Sequence, residues 1–570
     1  MAIELVDSKS YNRKAKKWYN ILLIGLFAIT GYSIYVGHNT NSIDLRDSLC
    51  PLTEIYRPSS YEQNKPVLHK ILFDQTFRNN SALKLIGAIQ QKTDVTDDLP
   101  LLVEDNPEIW EKFNQFSNYL NKTFPIFHNH TELEKVNYHG LIYTWKGTNN
   151  TLQPLVLMAH QDTVPVSGET LPQWDHDPFA GIYDGIHLYG RGTSDCKNLL
   201  IGLLETAELL IENGFIPKRT IIFSFGFDEE VGGIRNKNAL FLEQKYGKDS
   251  MYAIHDEGGV SLTKSEDVII AVPGTSEKGY MDFEIILKMP GGHSSVPPKH
   301  TAIGITGDLI VTIENDEFPT YFTDKNPTFY QYMCMAENSI DIDQKLKKSI
   351  MNSPFNSKAN KELRDYINSD VKTSYSIKTT QALDIIHGGS KINALPEYIQ
   401  LMINTRIAME ETHVTTLEKM VRDVEFISKK YDMGLDIEYQ NGTIVNLIPY
   451  DSASGAFTVK VGQYIDPAPL TPTNDEHWKI FAGSLRHMYE ELALPDMFKD
   501  KRVIVSPGIG SGNTDTKYYW NLSKHIYRYR PGEMTTIESH AHGINEFIKF
   551  DSHLQIIAFY YEYIHSIDEL

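Results

Sequence analysis

The feature that most constrains this chain is a series of short apolar strands, each running directly into a cluster of acidic and histidine residues. Leu155-Val156-Leu157-Met158-Ala159 leads into His160-Gln161-Asp162, and Thr220-Ile221-Ile222-Phe223-Ser224-Phe225 leads into Asp228-Glu229-Glu230. Met251-Tyr252-Ala253-Ile254 leads into His255-Asp256-Glu257, while the glycine-lined loop Gly190-Arg191-Gly192-Thr193-Ser194-Asp195 precedes a helix-like run over Asn198–Asn213. Strands alternating with helices predict an α/β sheet with helices on both faces. Such sheets gather ligands in the crevice beyond the carboxyl ends of their strands, which is where these clusters fall. One His-x-Asp, or one acidic pair on a loop, would be ordinary satisfied or solvated polarity. Four clusters in order, followed by Ser539-His540-Ala541-His542-Gly543-Ile544-Asn545-Glu546, point to bound cations.

At 570 residues the chain is too long for one simple core. From Gly279 the pattern changes to alternating strands, Tyr280–Lys288 and Ile399–Ile407, with a helix over Thr415–Lys430, and reads as an inserted α+β domain spanning 279–465. The strand-end chemistry resumes at about Thr471, so the catalytic domain is expected in two segments, 101–278 and 466–570, with a central mixed sheet. Residues 38–100 show no long hydrophobic period and read as a stalk with lead-in helices.

Trp18 to Ile43 contains no Asp, Glu, Lys or Arg, and Lys9, Arg13, Lys14, Lys16 and Lys17 precede it. A membrane-spanning helix needs about 20 apolar residues, so 18–37 is expected to be a single-pass signal anchor. The flanking charges put residues 1–17 in the cytosol and the rest of the chain across the membrane. A cleaved signal peptide is the competing reading, but its apolar core is usually only about 7–15 residues. Asn79, Asn121, Asn129, Asn149, Asn441 and Asn521 begin Asn-x-Ser/Thr sequons on that far side, where glycosylation is expected. The net charge of -20 excludes a nucleic-acid partner, which would need a basic surface. Three cysteines exclude a disulfide-dense scaffold and leave room for one bridge whose partners spacing does not choose. The terminal Ile567-Asp568-Glu569-Leu570 lacks the basic residue of a retention signal.

The succession His160-x-Asp162, Gly-Arg-Gly-Thr-Ser-Asp195, Asp-Glu229-Glu230 and His542-Gly-x-Asn-Glu resembles the two-zinc amidohydrolase and peptidase family that contains aminoacylase and glutamate carboxypeptidase, in its carboxypeptidase S branch. The likeness runs from about residue 90 to the end. It implies two zinc ions per chain: His160 and Asp256 on one, Glu230 and His542 on the other, and Asp195 bridging them. Glu257 is the alternative to Asp256, and His540 the alternative to His542. Asp162 would orient His160, and Glu229 would take a proton from the attacking water and return it to the departing amine. Cys196 reads as a packed side chain in preference to a thiolate ligand.

The same resemblance makes 279–465 a lid. Its Gly291-Gly292-His293-Ser294-Ser295 would supply His293 to a developing oxyanion, and Asn393, Arg406 and the loop at Gly512 would hold substrate. Arg406 is the natural clamp for a terminal carboxylate, because its planar fork bonds such a group bidentately. The implied activity is a vacuolar metallocarboxypeptidase acting on short Gly-Xaa peptides with a free terminal carboxylate, with a homodimer through the lid left open. An N-acyl amino-acid amidohydrolase or synthase on the same two zincs is the alternative, and an inactive membrane-tethered binding protein the remote one. A Ser-His-Asp hydrolase is disfavoured, since no Gly-x-Ser-x-Gly elbow follows a strand.

Overall fold

The structure, a computed structural model, describes residues 48–570 except 266, 451–454, 500 and 536. Its principal sheet has eight strands in the spatial order Glu132–Val136, Gly140–Trp145, Ile221–Gly226, Leu155–His160, Ala253–Asp256, Ile526–Arg528, Gly274–Glu277 and Gly508–Gly510. The central four run parallel. Leu155–His160 and Ile221–Gly226 are buried along their whole length, so they read as continuous apolar runs, as strands covered on both faces must. One covering layer is the helix Lys197–Glu212, packed against the long terminal helix Phe550–Asp568.

Outside these lie the helices Tyr61–Phe73 and Gln75–Gln90. Leu68, Ile71, Leu85 and Ile89 are fully buried in the principal core. These two helices, within the segment read as a stalk with lead-in helices, are integral to the body.

A second sheet of six strands lies wholly within the chain between Gly279 and Ile465, in the order Thr380–Gly388, Tyr398–Ile407, Gly279–Lys288, Ala456–Ile465, Gly434–Glu438, Ile444–Ile448. Tyr398–Ile407 alternates buried and less buried positions along its length, the mark of a sheet packed on one face. The helices Ala302–Asn315 and His413–Lys430 supply that packing. Between Ala302–Asn315 and Thr380–Gly388 comes a helical insert, Thr328–Asn338 to Val371–Ser374, with its own small core. A disulfide joins Cys50 to Cys334 in this insert across 284 residues of chain, and Cys196 is free and buried.

The apolar run 18–37 lies outside the described residues. Among the described residues, no helix is long and apolar enough to cross a membrane.

Candidate metal centre

Adjacent strands of the principal sheet deliver the key side chains to one edge. Leu155–His160 ends on His160, opposite Gly226 of its parallel neighbour. That neighbour continues into the short turn Glu229–Val231, and Ala253–Asp256 continues into Glu257. Asp195 arrives on the glycine loop before Lys197–Glu212. His542 comes from the loop before the terminal helix, held in a left-handed conformation at φ 62.

His160 Nε2 lies 3.0 Å from Asp195 Oδ1 and 3.1 Å from Glu257 Oε1. His542 Nε2 lies 3.1 Å from Asp195 Oδ2 and 3.1 Å from Glu230 Oε2. Each oxygen of the Asp195 carboxylate therefore faces a different imidazole, and two donor groups share that one residue. The sulfur of Cys196 borders the first group and accepts the His160 main-chain N–H at 3.3 Å. On the far side of His160, Nδ1 sits 3.0 Å from the Asp162 carbonyl and 3.3 Å from its carboxylate, whose other oxygen accepts the Glu230 N–H at 2.9 Å. Asp162 thus fixes one imidazole and steadies the neighbouring Glu230.

Asp256, expected as a ligand, belongs to neither group, and Glu257 takes its place. Successive side chains of a strand leave on opposite faces, so only one of two adjacent acids can meet His160. His542, not His540, reaches Asp195.

The electrostatics suit a cation site. Burial opposes ionisation of Asp195, but hydrogen bonds from His160 and His542 outweigh it and hold the carboxyl well below its usual range. Those to Asp195 and Glu230 push His542 up to about 10. Burial, then the charge of Asp195, lifts Glu257 to about 8. Burial, with Glu257 and Asp515 adding to it and His160 opposing, raises Glu229 well above an ordinary carboxyl. Glu229, Glu230, Asp195 and Glu257 outnumber the two imidazoles, and Glu230 Oε1 is buried with no hydrogen-bond partner. A mixed imidazole and carboxylate donor set with surplus negative charge fits divalent zinc.

The substrate-side residues are arranged differently. Gly292–His293 pairs with Ala394–Leu395 on the second unit, and His293 is exposed, its Nδ1 accepting the Ser295 N–H at 3.1 Å. Asn393 adjoins it, accepting the Ser294 N–H on its carbonyl at 3.3 Å. Arg406 lies on Tyr398–Ile407, its Nε donating to Asn404 at 3.1 Å and its guanidinium 5.9 Å from the Tyr280 ring. Gly512 is exposed in open space. No described hydrogen bond or ion pair links these four to the donor groups. All six sequon asparagines are exposed.

Two acids that carried no assigned role also sit at the centre. Asp515, in the loop after Gly508–Gly510, is buried beside Gly233, where a Cβ would fall 2.1 Å from its Oδ1. It accepts from Asn236 at 3.0 Å, and burial lifts it to about 7. Glu546, fully buried, accepts from Arg191 and from the main chain of the Asp195 loop. Each lies within a motif visible in the sequence, but only the folded loops show what it touches.

Paired donor groups sharing one carboxylate, at the carboxyl edge of an α/β sheet, define a metal-dependent hydrolase type of centre. A family model described as peptidase family M20/M25/M40 matches residues 156–566, and the chain belongs to that family. Carboxypeptidase S of Saccharomyces cerevisiae is 41% identical over 526 residues, covering 91% of this chain and 89% of that protein. N-fatty-acyl-amino acid synthase/hydrolase PM20D1 of Homo sapiens is 29% identical over 464 residues, covering 80% of this chain and 82% of that protein. The crystal structure of human carnosine dipeptidase 1 shares the fold, with a TM-score of 0.60 at 13% identity, covering 90% of this chain and all of that one.

Proposed function

We propose that this chain is a zinc carboxypeptidase that releases the carboxyl-terminal amino acid from short peptides of the Gly-Xaa type. The observation that carries this is Asp195, whose two carboxylate oxygens face His160 and His542 at 3.0 and 3.1 Å. On this reading one zinc is held by His160, Asp195 and Glu257, and a second by Asp195, Glu230 and His542. Bound zinc lowers the pKa of water towards neutrality and polarises a scissile carbonyl. Glu229 takes the proton of the attacking water and returns it to the departing amine, a role suited to a carboxyl whose proton affinity burial has raised. Asp162 keeps His160 in one tautomer and orientation.

Residues 279–465 act as a lid, carrying His293 for the oxyanion, with Asn393 and Arg406, beside the Gly512 loop, for the substrate. The working compartment is a vacuolar lumen, with residues 18–37 as the tether. The Cys50–Cys334 disulfide and the exposed sequons support an oxidising, glycosylating route.

The test is hydrolysis of a blocked Gly-Leu dipeptide by the secreted chain, alone, with EDTA, and as Glu229→Gln. Activity should vanish with chelator and fall about 10²–10⁴-fold in Glu229→Gln, the usual worth of a general base. Chelator-insensitive cleavage surviving in Glu229→Gln would sink the mechanism. The likeness to PM20D1 favours one second reading, an N-acyl amino-acid hydrolase, which faster turnover of an N-fatty-acyl amino acid than of the dipeptide would establish.

A further inference from the structure

Glu546 is four residues beyond His542 and fully buried. Its Oε1 accepts three main-chain N–H groups, from Gly192 at 3.1 Å, Ser194 at 2.8 Å and Asp195 at 3.1 Å. Its Oε2 accepts from Arg191 Nη1 at 2.5 Å and from Gly192 N–H at 3.2 Å. The Glu546 carbonyl takes the N–H of Gly190 at 2.9 Å, and Phe547 then pairs with Tyr189 in a short antiparallel ladder. Arg191 returns the connection, donating Nη2 to the Gly543 carbonyl at 3.2 Å, one residue past His542.

A carboxylate removed from water is costly unless it is thoroughly hydrogen-bonded, and here its partners are the backbone of the loop ending in Asp195. We propose that Glu546 is a positioning residue that holds Asp195 and His542 at the spacing the second zinc requires. It contacts no donor atom of the centre. It fixes the main chain of the bridging residue through Asp195 N–H, and, by its own place in the chain, the loop that presents His542. A neutral amide at this position would turn an N–H donor towards a nest of N–H donors, and the loop could not keep its form. This rests on the two-zinc reading.

Partners that orient metal ligands typically matter about 10–100-fold in metal affinity or activity. The experiment compares wild type, Glu546→Gln and Arg191→Lys with Glu205→Gln, a control at another buried carboxylate, whose partners are Lys84 at 2.8 Å, the Ser81 hydroxyl at 2.5 Å and His553 at 3.6 Å. Zinc affinity is measured by competition with a chromogenic chelator, cobalt-substituted spectra report ligand geometry, and Tm, kcat and KM are recorded for each. In Glu546→Gln one zinc should bind about 10–100-fold more weakly, with an altered cobalt spectrum and a lower kcat at unchanged KM. Arg191→Lys should shift the same quantities by less. Glu205→Gln should lower only Tm. Wild-type zinc affinity and cobalt spectrum in Glu546→Gln, with Tm alone reduced, would overturn the proposal while leaving the carboxypeptidase reading intact. If Glu546→Gln does not fold, unchanged zinc affinity in Arg191→Lys overturns it. A wild type that binds no zinc overturns both.

Discussion

Glu257 and Asp256 are adjacent acids at the end of one strand, yet only Glu257 approaches His160, at 3.1 Å. Asp256 is buried but belongs to neither donor group, and is lifted to about 7 chiefly by burial. Glu257→Gln should therefore weaken zinc binding by at least the factor of about 10 that an orienting partner is worth, whereas Asp256→Asn should change zinc affinity less. Zinc titration of both variants checks this, and the reverse ranking would restore Asp256 as ligand. His160, Asp195, Glu229, Glu230 and His542 were legible in the sequence because each stands in a short motif at a strand end or loop. The Asp256/Glu257 choice was not, because motif order fixes a residue only to within one position when two acids are adjacent and the strand's facing is unknown. Asp515 was illegible for a different reason: its importance lies in a contact with Gly233, 282 residues earlier in the chain, that only folding creates.

At the scale of elements, the expected helix over Asn198–Asn213 forms as Lys197–Glu212, and the strand Leu155–Ala159 extends to His160. These were readable because parallel strands buried on both faces leave uninterrupted apolar runs. The short insert helices were not, because few of their positions are buried and the rest are polar surface. The loop that matters most, Gly190 to Asp195, depends on a residue without a side chain. Gly192 has φ +88, and a Cβ there would lie 2.8 Å from Thr163 Cγ2. Gly192→Ala should displace the loop and so lower zinc affinity and kcat together. Gly168→Ala, on the loop that follows Asp162 and with nothing within 4 Å of the added carbon, should leave both unchanged. Equal zinc affinity in the two variants would mean that the loop does not set the ligand geometry.

On the scale of the whole molecule, two sheets and a disulfide between cysteines 284 residues apart in sequence make one body whose centre is rich in buried acid. In the metal-free chain His542 is raised from 6.5 to about 10 and Glu257 from 4.5 to about 8, so each of these two groups holds its proton more tightly in the folded state than in the unfolded one. Stability from each group is present below its ordinary value and lost as pH rises through the raised one. The Tm of the chelated wild type relative to that of chelated Glu257→Gln, which lacks the raised carboxyl, should accordingly fall between about pH 5 and about pH 8, while zinc, which needs deprotonated ligands, should widen the gap between loaded and chelated wild type over the same range. Thermal melts of both proteins across pH test this, and a chelated wild-type Tm that climbs with pH relative to that of Glu257→Gln would contradict it.

The central claim is that Asp195 is shared between two metal ions. Its most direct test is the zinc content of the purified wild-type chain, measured by mass spectrometry of the metal against protein concentration after removal of loosely bound ions. Two zinc ions per chain are expected; a single tightly bound ion, or none, would contradict the shared-carboxylate centre.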